Sequence, residues 1–444
     1  MKNIYSFLNN VWREILEESK QNKAFIPLLL LLITLPISMA INNFLLGVFF
    51  ISAFFLIGKN KVKFSLTYFL PILLFAWMTI SFFWSIDAKR TLNAIPKELP
   101  LLLVPLAFFL IPSFTKVQKE KILKYYSYSI LLYVIFFLLR ASIRFYITSD
   151  SSVFFYHGPD NETDTGLVPR LLNAIHVSVY VAIAFFYFFN KEIKTKGEHF
   201  VSLLLFVFVI LLSSKNIIIV FVFLILTQVF FYSKIANRLR LRNITLLLLI
   251  LGGILSFGKI KERFLIEFTS NTEKSLSHNI KVNNEVGVNN ISVYEAWNNE
   301  SFTHNDFFPG TSFRVYQFRM FTEFLFEEPI FWNGFGLNAS LSKLQQKEKF
   351  YNLYPGYGNF NFHNQYVQVF AELGIIGFVI LLFMLFLNIK NALKYKDFLH
   401  ITFAILMISL FLTESFLWRQ RGVLFFMIFY CLLNTMNQSI IEKK

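Results

Sequence analysis

The sequence predicts an all-α integral membrane protein of about twelve transmembrane helices with one large loop domain outside the membrane. Three observations carry that reading. Hydrophobic residues make up 55% of the 444 residues, with 58 Phe and a mean hydropathy of +0.54, which excludes a soluble globular chain. Apolar runs of membrane-spanning length recur along the sequence. The basic residues fall in alternate connections between those runs, as they do when a chain threads a bilayer repeatedly.

In chain order the spans are expected near 25–40, 43–58, 65–86, 99–112, 125–146, 171–189, 199–213, 217–233, 243–258, 364–388, 399–417 and 422–437. The first two are short enough to be tilted or partly interfacial. Residues 1–24 are of mixed charge and lack a cleavable signal pattern, so the N-terminus is expected to be retained. Cys431, the single cysteine, stands in the last span and excludes a disulfide within one chain.

With the N-terminus in the cytoplasm, the inner segments are 1–24, 59–64, 113–124, 190–198, 234–242, 389–398 and the C-terminal tail, and they hold more than half of the 42 Lys and Arg. Lys59, Lys61 and Lys63 mark one inner turn, and Lys234, Arg238, Arg240 and Arg242 another. An even span count then places both termini inside. The net charge of +15 reads as orientation and contact with anionic membrane lipids. Nucleic acid is not an expected partner, because the basic residues are dispersed over turns.

Three regions follow: an N-terminal bundle over 1–258, a large loop over 259–362 on the outer side, and C-terminal helices over 363–444. Residues 270–306 are rich in Asn, Ser, Glu and Lys and read as irregular surface. An amphipathic helix is expected next, capped by Thr311 or Ser312, with Phe313, Tyr316, Met320, Phe321 and Phe324 on one face and Pro329 ending it. Asn333-Gly334-Phe335-Gly336 reads as a turn. No internal repeat and no Gly-rich phosphate loop are present.

His363 is the leading chemical candidate, because imidazole takes up a proton near neutral pH and this one stands where the loop re-enters the membrane. The bland alternative is a polar cap on a transmembrane helix. Asn364, Gln368 and Glu372 recur at four-residue steps after it and would make a polar stripe down an apolar span. Glu372 lies about 13 Å further along such a helix, too far to orient the imidazole. A basic residue from another span is its expected partner. Gly374 and Gly377 would permit close helix packing.

The second constellation is cationic and on the outer side. It comprises Arg170 with His176 and Tyr180 downstream, Lys215 in a tight turn, Arg314 in the loop helix, and Arg421 in the last turn beside Gln420 and after Glu414. Such groups neutralise a diphosphate, though interfacial Arg and Lys also simply reach toward headgroups. Arg319 has Glu323 at i+4, a plain helix pair, whereas Phe318 stands at i+4 from Arg314 and leaves that guanidinium free for an anion. No metal site is expected: Asp160, Glu162 and Asp164 read as an acidic loop tip, and His157, His278 and His304 lack ligand spacing.

The run Phe362-His363-Asn364-Gln365-Tyr366, with Glu372-Leu373-Gly374-Ile375-Ile376-Gly377 after it, resembles the signature of the O-antigen ligase and polymerase superfamily. Ser312-Phe313-Arg314 with Pro329 and Gly334-Phe335-Gly336, the Ser213-Ser214-Lys215 turn, Arg170 with His176, Trp84-Ser85-Ile86-Asp87, Thr413-Glu414-Ser415 and Arg419-Gln420-Arg421-Gly422 resemble further segments of that superfamily, in matching order from about residue 80 onward. Lys215 stands where arginine is usual, and Phe318 where the aromatic is often Trp.

The resemblance implies a GT-C-like helical membrane fold with a periplasmic loop over a lipid-accessible cavity. It also implies metal-independent, cofactor-free glycosyl transfer at the periplasmic face of a bacterial inner membrane. The donor would be a glycan on undecaprenyl diphosphate and the acceptor a hydroxyl of lipid A–core oligosaccharide. On that pattern His363 is the general base, with Arg314 beside it. Arg170, Lys215, Arg421, Arg319, Asn364, Tyr366 and His176 would hold the diphosphate or substrate, and Glu372, Glu414, Gln420, Gly334 and Gly336 would support them. The same chemistry admits a repeat-unit polymerase and, third, a protein O-oligosaccharyltransferase. A transporter or flippase would also have a dozen spans, but the chain lacks a two-halved repeat and its polar residues crowd on one side.

Overall fold

The computed structural model describes residues 2–56, 65–155, 166–212, 214–233, 252 and 289–435. The span expected near 243–258 apart from residue 252, the inner turns expected at 59–64 and 234–242, His157, His278 and the acidic residues Asp160, Glu162 and Asp164 lie outside these residues.

The described chain is mostly helical. It opens with α1 (Lys2–Gln21), α2 (Phe25–Ile33), α3 (Met39–Phe54) and α4 (Leu66–Ile80), then α5 (Ala88–Glu98), α6 (Pro100–Leu110) and α7 (Lys116–Thr148). α8 (Ala174–Phe189), α9 (Lys196–Leu211) and α10 (Lys215–Thr227) complete the described N-terminal bundle. Among the described residues, five helical stretches are long and apolar enough to cross a membrane: Leu66–Phe83, Ala88–Leu110, Lys116–Thr148, Lys215–Tyr232 and Gln365–Tyr395. Met39–Phe54, Ala174–Phe189, Phe398–Phe411 and Gln420–Asn434 are shorter apolar helices. Helices apolar on all sides occupy the centre, as burial requires: α8 and the last helix are buried along nearly their whole length.

Local sequence sets the helix starts. Thr115 with Gln118 and Thr195 with Glu198 form reciprocal capping boxes at α7 and α9. α5 differs from the expectation of a span beginning near 99. Asp87 caps it by accepting the Arg90 backbone N–H at 3.1 Å, and the chain then turns into α6 at Pro100, which stands in the first helical turn where no N–H is needed. The hydropathy signal missed α5 because its sequence, AKRTLNAIPKE, is largely polar.

Residues 289–362 build a module with its own core, including Phe302, Phe308, Tyr316, Met320, Phe324, Phe335 and Phe362. Its elements are β1 (Asn289–Asn290), α11 (Val293–Asn298), β2 (Asp306–Phe307), α12 (Gly310–Glu327) and α13 (Ser340–Phe350), the two strands pairing in parallel. The stretch expected to be irregular therefore carries a strand and a capped helix in its described part, Ser292 and Glu295 forming a capping box. α12 begins at Gly310 behind Pro309, one residue before the expected cap, with no side-chain cap hydrogen bond. The expected apolar face is buried.

α14 (Gln365–Tyr395), α15 (Phe398–Phe411) and α16 (Gln420–Asn434) close the chain. α14 is not one continuous helix. Gly374 breaks it with φ 66° and ψ −167°, a backbone open mainly to glycine. The segment Phe331–Gly336 fills the break: Phe335 N–H donates to Ala371 O at 2.9 Å, Gly336 N–H to Glu372 O at 2.8 Å, and Ile375 N–H to Phe331 O at 2.8 Å. Trp77 Nε1 donates to Leu373 O at 2.9 Å. A Cβ on Gly374 would stand 2.1 Å from Trp332 O, and one on Gly334, at φ 68°, 2.3 Å from the Glu372 carbonyl carbon. These glycines serve strand-like backbone pairing, whereas Gly374 was expected to serve helix packing. Residues 365–373 consequently pack with the loop module, Val367 and Ala371 sharing its core. The stretch 375–395 alone reaches about 31 Å, the thickness of a hydrocarbon core.

The module is also fastened to the chain just after the C-terminal end of α4. Trp84 Nε1 donates to Asn333 O at 2.9 Å, Ile86 N–H to Phe335 O at 3.0 Å, and Ser342 Oγ to Asp87 Oδ2 at 2.8 Å. The Arg90 N–H and Ser342 hold the Asp87 carboxyl below the usual carboxylate range.

Candidate functional site

His363 sits at the seam between the module and the bundle. Its backbone is left-handed, φ 47°, and its N–H donates to Asn361 Oδ1 at 3.0 Å. That is an uncommon conformation for a residue with a side chain. The next residue, Asn364, caps α14 by accepting the N–H groups of Tyr366 at 3.0 Å and Val367 at 3.2 Å. The turn throws the imidazole off the helix start, between the rings of Phe313 and Phe360 at 5.7 and 6.0 Å between ring centres. The bland alternative, His363 as the helix cap, falls to Asn364.

Glu414 faces the imidazole from the turn after α15, with His363 Nδ1 3.4 Å from Glu414 Oε2. The other carboxylate oxygen accepts from Arg314 Nη2 at 3.2 Å, while Arg314 Nε donates to Thr413 O at 3.0 Å and Nη1 to Gly310 O at 3.0 Å. The expectation that Arg314 is free of a carboxylate is therefore corrected: its partner lies one hundred residues away in sequence rather than one helical turn. His363, Glu414 and Arg314 form one chain of contacts, partly open to solvent, with side-chain exposures of 26, 17 and 36%. A carboxylate there fixes the imidazole ring and favours Nδ1–H, which leaves Nε2 as the proton acceptor.

Arg319 is elsewhere. It donates to Glu323 at 2.9 Å, Asn299 O at 2.8 Å and Tyr351 Oη at 2.9 Å. Burial raises the Glu323 carboxyl, but Lys347, Tyr351 and Arg319 outweigh it and hold the group below its usual range. This network fastens α12 to α13.

The 413–421 turn meets several of the remaining candidates. Asn216 Nδ2 donates to Thr413 Oγ1 at 2.7 Å, which seats the start of α10, and so Lys215, at the Glu414 turn. Arg421 is buried, donates from Nη1 to Leu171 O at 3.1 Å, and keeps Nε without a partner among the described residues. Arg170, whose backbone opens the short turn Arg170–Leu172, is thereby adjacent. His176 is buried and stacked on Phe416 at 4.3 Å, behind the turn. Gln420 donates to Asn43 Oδ1 at 2.7 Å. Tyr366 Oη is engaged by the Ile408 carbonyl at 2.9 Å.

Glu372 meets no basic side chain among the described residues, contrary to expectation. It accepts from Ser340 Oγ at 2.8 Å and Gln368 Nε2 at 2.6 Å. Gln368 Oε1 in turn accepts from the Phe362 N–H at 3.1 Å and from Ser415 Oγ at 3.4 Å, and Gln365 Oε1 from the Leu417 N–H at 2.7 Å. The polar stripe on α14 thus braces both neighbours of the catalytic candidates, Phe362 and Ser415, and does not face lipid. Lys97 was not anticipated: its ammonium lies 5.8 Å from the Trp418 ring, and Trp418 Nε1 donates to Asn338 Oδ1 at 2.9 Å. Its only sequence signal was its place ten residues after the Trp84–Asp87 motif.

The described residues thus bring His363, Glu414 and Arg314 together, with the start of α10 and Arg421 meeting the same 413–421 turn. Among the described residues no group of three His, Cys, Asp or Glu could hold a metal ion. Residues 200–382 match the family model described as O-antigen ligase, which bears out the superfamily resemblance on a segment containing Lys215, Arg314 and His363. A search of curated proteins finds no match.

Proposed function

We propose, from the match of residues 200–382 to the O-antigen ligase family model, that this chain is a membrane glycosyltransferase. It transfers a glycan from undecaprenyl diphosphate to a hydroxyl of lipid A–core oligosaccharide at the periplasmic face of the inner membrane. The observation that carries the reading is the His363–Glu414–Arg314 chain of contacts. Nε2 of His363 takes the proton of the acceptor hydroxyl as its oxygen attacks the anomeric carbon, and the bond from that carbon to the diphosphate oxygen breaks. Glu414 compensates the imidazolium that forms, and its second oxygen keeps Arg314 beside it. Lys215 and Arg421, which meet that turn, and Arg170, which the sequence pattern adds, are assigned to offset charge on the departing diphosphate. Arg319, spent on Glu323 and Tyr351, supports the loop module. No metal takes part in this scheme.

The related reading, a repeat-unit polymerase, uses the same groups with a lipid-linked glycan as acceptor. Surface-glycan profiling of a deletion strain separates the two. Loss of all long glycan from the core, with the chain accumulating on its lipid carrier, is the outcome for the ligase. A single repeat on the core marks a polymerase and overturns the acceptor assignment.

A further inference from the structure

We infer that the loop module rests on the bilayer itself, through an aromatic face formed by Phe326, Phe331 and Trp332. This inference depends on α14 crossing the membrane and not on the transfer reaction. The three side chains are 92, 50 and 66% exposed; Tyr294, Phe350 and Tyr354 are exposed elsewhere on the module, so position and not exposure alone singles these three out. Exposed aromatics of this kind mark a surface that meets something other than water.

Continuity with the lipid-facing side of α14 identifies the partner. The Phe331 ring lies 5.8 Å from Phe370, and Phe370 lies 5.5 Å from Phe378. Phe378 belongs to the apolar 375–395 stretch, whose Val379 and Phe383 are exposed where lipid would cover them. The Ile375 N–H to Phe331 O hydrogen bond sets the loop residue level with the first turn of that stretch. On the other flank the indole of Trp84 donates to Asn333 O, beside Phe83, which is 83% exposed. The aromatic face therefore continues two apolar surfaces at the C-terminal end of α4 and the break in α14.

The charges nearby are turned the other way. Glu323 and Glu327 pair with Lys347 at 2.6 and 2.9 Å, and Glu328 pairs with Lys343, all against α13. An aromatic face freed of charge suits the interfacial zone of a bilayer, where Trp and other aromatic rings concentrate. A glycan-stacking platform would want polar groups beside the rings, and here those groups are taken up by α13.

The test uses the full-length protein in lipid nanodiscs. Cys431 is buried, so a nitroxide label goes to an introduced cysteine: Phe326→Cys, with His304→Cys in the polar turn before β2 as the reference. Collisions with oxygen, which partitions into lipid, should exceed collisions with a water-soluble nickel chelate several-fold more at 326 than at 304. Brominated lipids should quench the tryptophan fluorescence of the wild-type protein more than that of Trp332→Phe. The inference is overturned if position 326 is as open to the nickel chelate as 304, or if it is shielded from both agents, as by a second protein surface. If the cysteine variant does not insert, equal quenching of the wild-type and Trp332→Phe proteins overturns it alone.

Discussion

Replacing Glu414 with Gln keeps the shape of the side chain and removes the charge that two candidate groups share. The carboxylate lies 3.4 Å from His363 Nδ1 and 3.2 Å from Arg314 Nη2, both long for charge-assisted hydrogen bonds. All three side chains are partly exposed, so each contact is taken at the surface value of about 1 kcal/mol rather than the larger buried one. Together they amount to about 2 kcal/mol, or roughly thirtyfold in rate. The amide still accepts one hydrogen bond, so the protein should insert and fold as before. The assay is transfer from a lipid-linked donor by purified protein, with kcat and KM measured separately. Glu414→Gln should lower kcat about thirtyfold, and the double variant with His363→Ala should be only about fivefold slower than His363→Ala alone, because the Arg314 contact alone is then left to lose. A kcat within about threefold of wild type, or a fully additive double variant, would refute the coupling.

Arg314→Ala should impair transfer far more than Arg319→Ala, whereas Arg319→Ala should lower the thermal midpoint more, since its side chain is the more buried, 13% exposed against 36%, and ties α12 to Asn299 and Tyr351; equal effects in both assays would take Arg314 out of the site. Gly374→Ala should abolish assembly of the loop module, at a cost above about 3 kcal/mol from the positive φ and the clash with Trp332 O; a normally inserted and active variant would discount the backbone pairing. The pH dependence of module docking follows from Asp87, whose carboxyl is depressed by the Arg90 N–H and Ser342. A depressed carboxyl contributes stability above its unfolded value, near 3.9 for an ordinary Asp, and loses it as pH falls through the folded value. Protease nicking of the loop should stay flat from neutral pH down to that region and then rise, and Asp87→Asn should remove part of the acid dependence. An onset near pH 6 would point to a different group.

The helical membrane character was legible because hydropathy reports it directly. The apolar face of α12 follows from helical spacing, and all five residues named for it are buried. His363 was legible as a polar residue just before a long apolar run. Its partner was not: Glu414 is 51 residues away and reaches it through a turn whose course depends on how α14, α15 and α16 pack. The same holds for Arg314, where inspection of i+4 neighbours finds only local pairs. Glu372 misled because an acid in an apolar run suggests an intramembrane ion pair. Gly374 instead ends the run, so the acid lies with the loop module and is satisfied by Ser340 and Gln368. α5 escaped notice because hydropathy reports spans and not polar helices at their ends.

The account turns on His363 as the base. The direct measurement is release of undecaprenyl diphosphate by purified, correctly inserted His363→Ala supplied with lipid-linked glycan and acceptor, alongside the wild-type protein. The predicted result is a loss of about 10²–10⁴ in rate with donor binding retained. Turnover near the wild-type rate would contradict it and leave His363 a residue of the turn that starts α14.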